Sequence, residues 1–484
     1  MASARLSDLV RRTLPVDPLI EGVTADSRRV RPGWLFAALP GALADGRSFV
    51  AAALASGAAA VLAGESLPGI AAPVVLAHDP RRAYALAAAA FFGAQPATCV
   101  AVTGTNGKTS VATFCRQIFS GLGRVSASMG TLGVRVGDEQ LTGPGLTTPD
   151  AADVAEVLAT LAGRGVTHLA LEASSHGIDQ RRLDGVAIAA AGFLNLTQDH
   201  LDYHQTMEAY RLAKLRLFDT LLPRGAVAVL NADSDASPAF AAAVISGGRG
   251  LMSVGAMGRG ITLSERELLD GGQRLKLSAW GRPFDVRLPL AGAFQATNAL
   301  VAAGLCIAVG EQPDLVLPAL EGLQGAPGRL QRIGAGPRGG EVYVDYAHTP
   351  DGLRTVLDAM RPHTRGRLIL VFGAGGDRDR GKRAQMGAIA AAGADIAIVT
   401  DDNPRSEDPA VIRADIRGGG PGLGEIQGRR SAIAAAAAML EAGDVLLVAG
   451  KGHERGQIVG GETLPFDDAE ETRMALGLEA GGGA

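Results

Sequence analysis

AVTGTNGKTS, residues 101–110, is the stretch on which the fold turns. An apolar run from Cys99 leads into it, and VATFCRQIF after it repeats apolar side chains at helical spacing. A strand therefore runs into Gly104, Thr105, Asn106 and Gly107, and a helix opens around Lys108, Thr109 and Ser110. Glycines let backbone N–H groups converge on phosphate oxygens, and a helix N-terminus favours negative charge. Lys108 adds a cation, and the Thr109 hydroxyl is a suitable Mg2+ ligand. The usual phosphate loop has a glycine five positions before its Gly-Lys pair. Here that position is Val102, so the loop is a compressed form. A plain glycine-rich turn would use the same residues, but the complete strand–loop–helix context favours the phosphate loop.

Outward from this loop the alternation repeats. Leu169–Ser175 and Ala226–Asp233 read as strands, as do EVYVDY, RLILVFG, DIAIVT and DVLLVAG nearer the C-terminus, with alanine-rich helical stretches between. Continuous apolar strands separated by helices imply parallel sheets covered on both faces. The fold class is therefore α/β, with doubly wound sheets whose ligands sit beyond the carboxyl ends of the strands. Two Gly/Pro-rich punctuations, FFGAQPAT and the stretch from Gln324 to Gly340, divide the chain. Three domains are expected, 1–95, 96–332 and 333–484.

Composition narrows the function. The 484 residues carry 46 basic and 50 acidic side chains, a net charge of −4, which argues against a nucleic-acid or membrane surface. Hydrophobic residues make up 47% and charged residues 20%, a globular balance. Three cysteines without repeated spacing exclude a disulfide framework and fit a reducing, cytoplasmic setting. No secretory apolar core and no membrane-spanning run is evident.

Several residues carry chemistry of their own. Glu172 ends an apolar run, where a carboxylate can ligate Mg2+ opposite Thr109. Asp199, His200, Asp202 and His204 crowd one stretch, which favours a site role for His200 over a merely structural one. Lys214, on the helical pattern EAYRLAKLRLF, reads from its own residues as a solvated surface lysine. Thr147 and Thr148 of TTPD, Ser174, Gln180 and Arg182 are donors suited to carboxylates and phosphates. The TTPD pair also fits a helix N-cap. His348 fits a cap for the helix near Pro350, and DDNPRSEDP fits a solvated turn before a helix at Pro409. In the last block Arg378, Asp402, Asn403, Pro404, Arg405, Gly450 and Glu454 fall just past parallel strand ends, so their loops should converge.

The series TGTNGKT, TTPD, EASSHG, the run Asp199–His204, VDYAHTPDGL, GAGGDRDRGKR, DDNPR and GKGHE resembles the ATP-dependent Mur ligases of peptidoglycan precursor synthesis. Folylpolyglutamate synthases share the loop, but DDNPR, EASSHG and the N-terminal block argue against that relative. The resemblance implies a central P-loop ATPase-type domain between an N-terminal UDP-binding α/β domain and a C-terminal Rossmann-like domain. It implies ATP and Mg2+ as cofactors and a small-molecule acceptor, UDP-MurNAc-L-Ala-D-Glu. DDNPR implies meso-diaminopimelate as the added amino acid, with the Arg405 guanidinium taking the extra carboxylate that lysine lacks. Ser27, Thr147, Thr148, Ser174, Gln180 and Arg182 are then acceptor contacts, and Asn298, Arg329, Asp345 and His348 ATP contacts. Lys108, Glu172, His200 and Lys214 are the catalytic set. Lys214 is implied to be carbamylated, and with Thr109, Glu172 and His200 to serve the metal. GALADGR at 41–47 departs from the His-Gln-Ala-Asp-Gly-Arg of some relatives. A monomer without nucleic-acid or membrane partners is expected.

Overall fold

The computed structural model describes residues 3–41 and 45–478. Residues 42–44, within GALADGR, lie outside the described residues. The chain divides into two compact units, one of residues 1–108, 115–254 and 304–312, the other of 109–114, 255–303 and 313–484.

In the first unit, four short parallel strands form an N-terminal sheet in the order Gly22–Thr24, Trp34–Ala38, Ala60–Ala63, Val74–Leu76. Alternate residues serve opposite faces. Leu35 and Ala37 join one buried cluster, and Phe36 and Ala38 the other. The helix Pro80–Phe92 has Asp79 at its N-cap and ends at Gly93.

The same unit carries six parallel strands, in the order Ser126–Gly130, His168–Glu172, Thr98–Thr103, Ile188–Phe193, Val227–Asn231, Gly250–Gly255. The chain leaves Thr98–Thr103 to one side, returns beside it, then crosses to its other side. That reversal puts a crevice at the carboxyl end of Thr98–Thr103, where open α/β sheets bind ligands. Val154, Leu158 and Leu161 of the helix Ala151–Gly163 pack with Leu169 and Leu171 in the core, and Phe193 stacks on Phe240 with ring centroids 3.8 Å apart.

In the second unit five parallel strands run Glu341–Asp345, Val445–Ala449, Leu368–Phe372, Ile396–Val399, Gly424–Glu425, with Gln331–Ala335 antiparallel at one edge. Leu368, Leu370 and Phe372 face one apolar layer, Ile369 and Val371 the other. Helices cover both faces, which is the doubly wound arrangement expected. Three antiparallel strands, Ile261–Leu269, Gly272–Ala279 and Arg282–Leu288, are an addition to the parallel pattern. Their sequence alternates apolar with charged residues, as one-sided burial requires. Among the described residues no helix is long and apolar enough to cross a membrane.

Candidate active site

Three neighbouring strands set the site of the first unit. Thr98–Thr103 pairs Val102 with Glu172 on one side and Thr103 with Phe193 on the other, so Gly104, Glu172 and Asn195 follow adjacent strand ends. Gly107, at φ 91°, caps the helix Lys108–Gly121, a conformation open to glycine at little cost. The loop is fastened to the next one. Thr105 N–H donates to the Asn195 carbonyl at 3.0 Å, and Asn106 N–H to Asn195 Oδ1 at 2.9 Å. Thr105 Oγ1 donates to the Thr197 carbonyl at 3.1 Å. Lys108 Nζ donates to the carbonyls of Gly104 and Thr105, both at 2.8 Å.

Lys214 is where the reading from the residues alone fails. It is not a solvated surface lysine but 1% exposed. Its Nζ donates to the Gly104 carbonyl at 2.9 Å and lies 4.3 Å from the centre of the Tyr210 ring. Burial, and then the nearby Lys108 charge, push its pKa well below the ordinary lysine value. Tyr210 in turn donates to Thr105 Oγ1 at 3.3 Å.

The histidines gather as the sequence suggests, with one more than expected. The His176 ring lies 4.8 Å from His200, 4.2 Å from Tyr203 and 5.4 Å from His204. Burial, then the neighbouring histidines, lower the His176 pKa to about 4. Burial is also the main cause that lowers His200, against the raising effect of Asp199. His200 stands in the left-handed region at φ 53° and opens the short helix Leu201–His204. His176 and Tyr210 were not singled out from the sequence. The His inside EASSHG was the available signal for the first.

Glu172, 3% exposed, is held by Thr131, whose N–H donates to Oε1 at 2.8 Å and whose Oγ1 donates to Oε2 at 3.3 Å. The carboxylate crosses directly over Gly130, where an added Cβ would sit 2.0 Å from Oε1. Gly130→Ala is therefore expected to cost about 1–3 kcal/mol of stability by overpacking and to displace Glu172. Thermal unfolding and turnover, measured together, check it.

Thr148 donates to the Glu172 carbonyl at 2.9 Å and accepts from Ser174 N–H and Oγ, at 3.1 and 3.0 Å. Ser174 Oγ also caps the helix Ser175–Asp179. Arg182 donates to the Thr148 carbonyl at 2.6 Å and to Gln180 Oε1 at 2.7 Å. Thr147 Oγ1 lies 2.9 Å from Thr131 Oγ1. The helix cap after TTPD is Asp150, not the threonine pair. Ser27 lines a cavity of about 590 Å³ with Arg28, Arg29, Phe49, Asp150 and Asp153.

In the second unit, Asn298 Nδ2 donates to Gln295 Oε1 at 3.0 Å, and Gln295 Nε2 donates to the Arg329 carbonyl at 3.2 Å. The Arg329 guanidinium lies 4.6 Å from the centre of the Tyr346 ring, and its buried Nε has no hydrogen-bond partner among the described residues. Tyr346, which the sequence reading passed over, also lies 4.6 Å from the His348 ring and 4.9 Å from that of His453. Asp345 accepts from Leu330 N–H at 2.6 Å and Ala347 N–H at 2.8 Å, while burial raises its pKa. His348 is not the cap of the helix Pro350–Met360; Thr349 is. Nor is DDNPR simply solvated. Asp402 and Asn403 are buried, and the next helix is capped by Asp408. Asn403 Nδ2 donates to Glu454 Oε2 at 2.8 Å, and Gly450 packs against the Asp402 carboxylate. Arg405, at φ 52°, donates through Nη1 to the Gly376 carbonyl at 2.7 Å. Pro404 precedes it. Arg378 is exposed on the neighbouring loop, and no described polar contact joins it to this group.

Among the described residues no three or more His, Cys, Asp or Glu side chains stand ready to hold a metal ion. A Mg2+ ion commonly takes one or two carboxylates and completes its shell with substrate phosphates and water, and the Glu172 carboxylate, held by Thr131, is an oxygen donor of that kind.

A phosphate loop on a parallel sheet, joined in sequence to a doubly wound lobe, defines a nucleotide-dependent α/β enzyme class. The chain matches the models for the Mur ligase catalytic domain over residues 19–92, the Mur ligase middle domain over 102–306, and the Mur ligase glutamate ligase domain over 328–452. It belongs to the Mur ligase family. It is 67% identical over 483 residues to the UDP-N-acetylmuramoyl-L-alanyl-D-glutamate–2,6-diaminopimelate ligase of Caulobacter vibrioides, covering 98% of this chain and 99% of that one. The enzyme of the same name from Mesorhizobium japonicum is 53% identical, with 96% and 97% covered. A solved structure of a UDP-N-acetylmuramoyl-L-alanyl-D-glutamate–2,6-diaminopimelate ligase superposes with a TM-score of 0.75 at 35% identity, covering 99% of both chains.

Proposed function

We propose that this chain is the ATP-dependent ligase that joins meso-2,6-diaminopimelate to the D-glutamyl γ-carboxylate of UDP-MurNAc-L-Ala-D-Glu. The products are the UDP-MurNAc-tripeptide, ADP and phosphate. The observation that carries the reading is the Gly104 carbonyl taking both Lys108 and the buried Lys214 at the mouth of the phosphate loop. The domain division at 1–95, 96–332 and 333–484 gives the work to three parts: acceptor binding, ATP binding and amino-acid binding. The cavity at Ser27 takes the uridine diphosphate, where Arg28 and Arg29 offset phosphate charge. Thr147, Thr148, Ser174, Gln180 and Arg182 hold the muramoyl dipeptide. Asn298, Arg329, Asp345 and His348 hold ATP with the loop residues 104–110.

A carboxylate resists amine attack because oxide is a poor leaving group. Its oxygen therefore attacks the γ-phosphorus of ATP, the bond to the β-phosphate oxygen breaks, and ADP leaves. The amine of diaminopimelate attacks the resulting acyl phosphate, the tetrahedral adduct collapses, and phosphate departs as the amide forms. Lys108 and the loop N–H groups offset charge at the transferring phosphoryl group and fix its position. Mg2+, when bound, supplies further charge neutralisation there, with Thr109, Glu172, His200 and a carbamylated Lys214 as the residues that serve it. Lys214 has the chemistry for that modification. A lysine whose pKa is pushed down holds its proton less tightly, so the uncharged amine that reacts with CO2 is more populated than in an ordinary lysine. Its lone pair bonds to the carbon of CO2, one proton leaves the nitrogen, and an anion replaces a cation. The remaining N–H can keep the bond to the Gly104 carbonyl.

For the amino acid, Arg378, Asp402, Asn403, Pro404, Arg405, Gly450 and Glu454 form the binding group, with Arg405 matched to the distal carboxylate and Glu454 to the distal ammonium. The enzyme works as a cytoplasmic monomer. Phosphate release with UDP-MurNAc-L-Ala-D-Glu tests the whole reading. Release is expected only when diaminopimelate is present, and lysine in its place should give little. Phosphate release without any amine would instead indicate a simple ATPase, and ATP consumed without an amine and without free phosphate would indicate a kinase that stops at a phosphorylated product.

A further inference from the structure

Lys451 follows the strand Val445–Ala449 and Gly450, and its side chain is 0% exposed. Neither the phosphate chemistry nor the amino-acid contacts above use it. A fully buried ammonium is costly unless paired, so what it pairs with is informative. Lys451 Nζ donates to Asn403 Oδ1 at 2.9 Å and to Glu454 Oε2 at 3.0 Å. Asn403 Nδ2 donates to that same Glu454 Oε2 at 2.8 Å, which closes a triangle. Ile458 N–H, on the hairpin strand Gly456–Val459, gives Asn403 Oδ1 a second donor at 2.9 Å.

The consequence is directional. Both described donors to the Glu454 carboxylate fall on Oε2. Glu454 is only partly buried, with 35% of its side chain exposed, and no described donor takes Oε1, which leaves that oxygen for a ligand. A glutamate has three side-chain torsions, and a carboxylate on an otherwise loose chain would lose affinity in ordering itself around a ligand. Asn403, with Oδ1 doubly used, is part of the mounting as much as a contact.

We propose that Lys451 is a positioning residue for the incoming amino acid. Its buried ammonium fixes Glu454 so that Oε1 is aimed at the substrate's distal ammonium. This rests on the diaminopimelate-binding reading given above, and the test separates the two. Lys451→Met and Glu454→Gln are made singly and together, and KM for diaminopimelate, KM for ATP, kcat and thermal stability are measured. Lys451→Met should raise KM for diaminopimelate about 10- to 100-fold, the effect of losing one charge-assisted bond. KM for ATP should change by less than about threefold on the same scale. In the Glu454→Gln background the further effect of Lys451→Met on KM should shrink to near nothing, because there is no charged carboxylate left to aim. A purely structural lysine would give the same effect in both backgrounds, and that result would overturn the proposal. If Glu454→Gln leaves KM for diaminopimelate unchanged, the amino-acid site itself is misassigned. If only Lys451→Met leaves it unchanged, the positioning role alone is wrong. Lys451→Gln, which keeps a donor without the charge, replaces the methionine variant should that one not fold. Failure of both to fold would make Lys451 a stability element and likewise sink the positioning role.

Discussion

Lys214→Ala is expected to lower kcat by about two to three orders of magnitude, as removal of a preorganised charge in a catalytic site does, while KM for all three substrates moves little. Lys214 is 1% exposed, and after burial itself the charge of another cation, Lys108, does most to lower its pKa. As an ammonium it would be a second positive charge in a confined space, and as a neutral amine it contributes only a hydrogen bond to Gly104. As a carbamate it becomes an anion suited to a metal-bound nucleotide. Bicarbonate-depleted wild-type enzyme should therefore be slow and recover on adding bicarbonate. The alanine variant should ignore bicarbonate and respond in part to a short carboxylic acid that fills the vacated space. An alanine variant of undiminished activity would remove Lys214 from the mechanism. The stability consequence has a definite sign. The folded-state pKa lies below the ordinary 10.5, so between those values the unfolded chain binds more protons than the folded one. Stability then rises with pH across that window and falls as pH drops through it. Lys214→Met, with no proton to bind in either state, should flatten that slope in urea melts run at several pH values.

What made Lys214 illegible in the sequence is general. Its helix, Met207–Arg216, mixes apolar and charged residues without a clean stripe, and the group that buries the amine lies 110 residues earlier in the chain. Burial imposed by a distant loop leaves no periodic trace. The strands were legible for the opposite reason. Leu368–Phe372 and Val445–Ala449 are covered on both faces, so their apolar runs are continuous and need no partner to be recognised. The phosphate loop was legible because its geometry constrains the backbone, and so the glycine positions, locally. Lys451 sat inside the quoted GKGHE and was still passed over. A lysine beyond a strand end reads as solvated until the triangle with Asn403, 48 residues away, is seen.

For Arg405→Ala, KM for diaminopimelate is expected to rise about 100-fold, the scale of a lost two-pronged guanidinium–carboxylate contact, with KM for ATP within about threefold. This residue's backbone is held firmly. Arg405 N–H donates to the Ile458 carbonyl at 3.0 Å, and Gly460 N–H donates to the Arg405 carbonyl at 2.7 Å. The following residues are fastened as well. Ser406 Oγ donates to Asp377 Oδ1 at 2.6 Å, and the fully buried Arg383 pairs with Glu407 at 2.8 Å, a contact that pulls the Glu407 pKa down to about 2. The Arg405 Cα is thus a fixed origin, and only the guanidinium is left to respond to ligand. Its Nη1 rests on the Gly376 carbonyl at 2.7 Å, which orients the plane of the fork. Arg405→Lys keeps the charge but loses the plane, so a smaller rise, about tenfold, is expected. Arg405→Ala leaves a non-glycine residue at φ 52°, so backbone strain is not the variable, whereas Arg405→Gly would relax it. Discrimination should fall with affinity. In the wild type, lysine would leave the guanidinium facing no carboxylate, and that cost disappears in the alanine variant. The ratio of kcat/KM for diaminopimelate over lysine should therefore narrow by about the same factor as KM rises. Equal effects on ATP and diaminopimelate, or an unchanged ratio, would move the specificity determinant away from Arg405 and toward Arg378, the other guanidinium of the group.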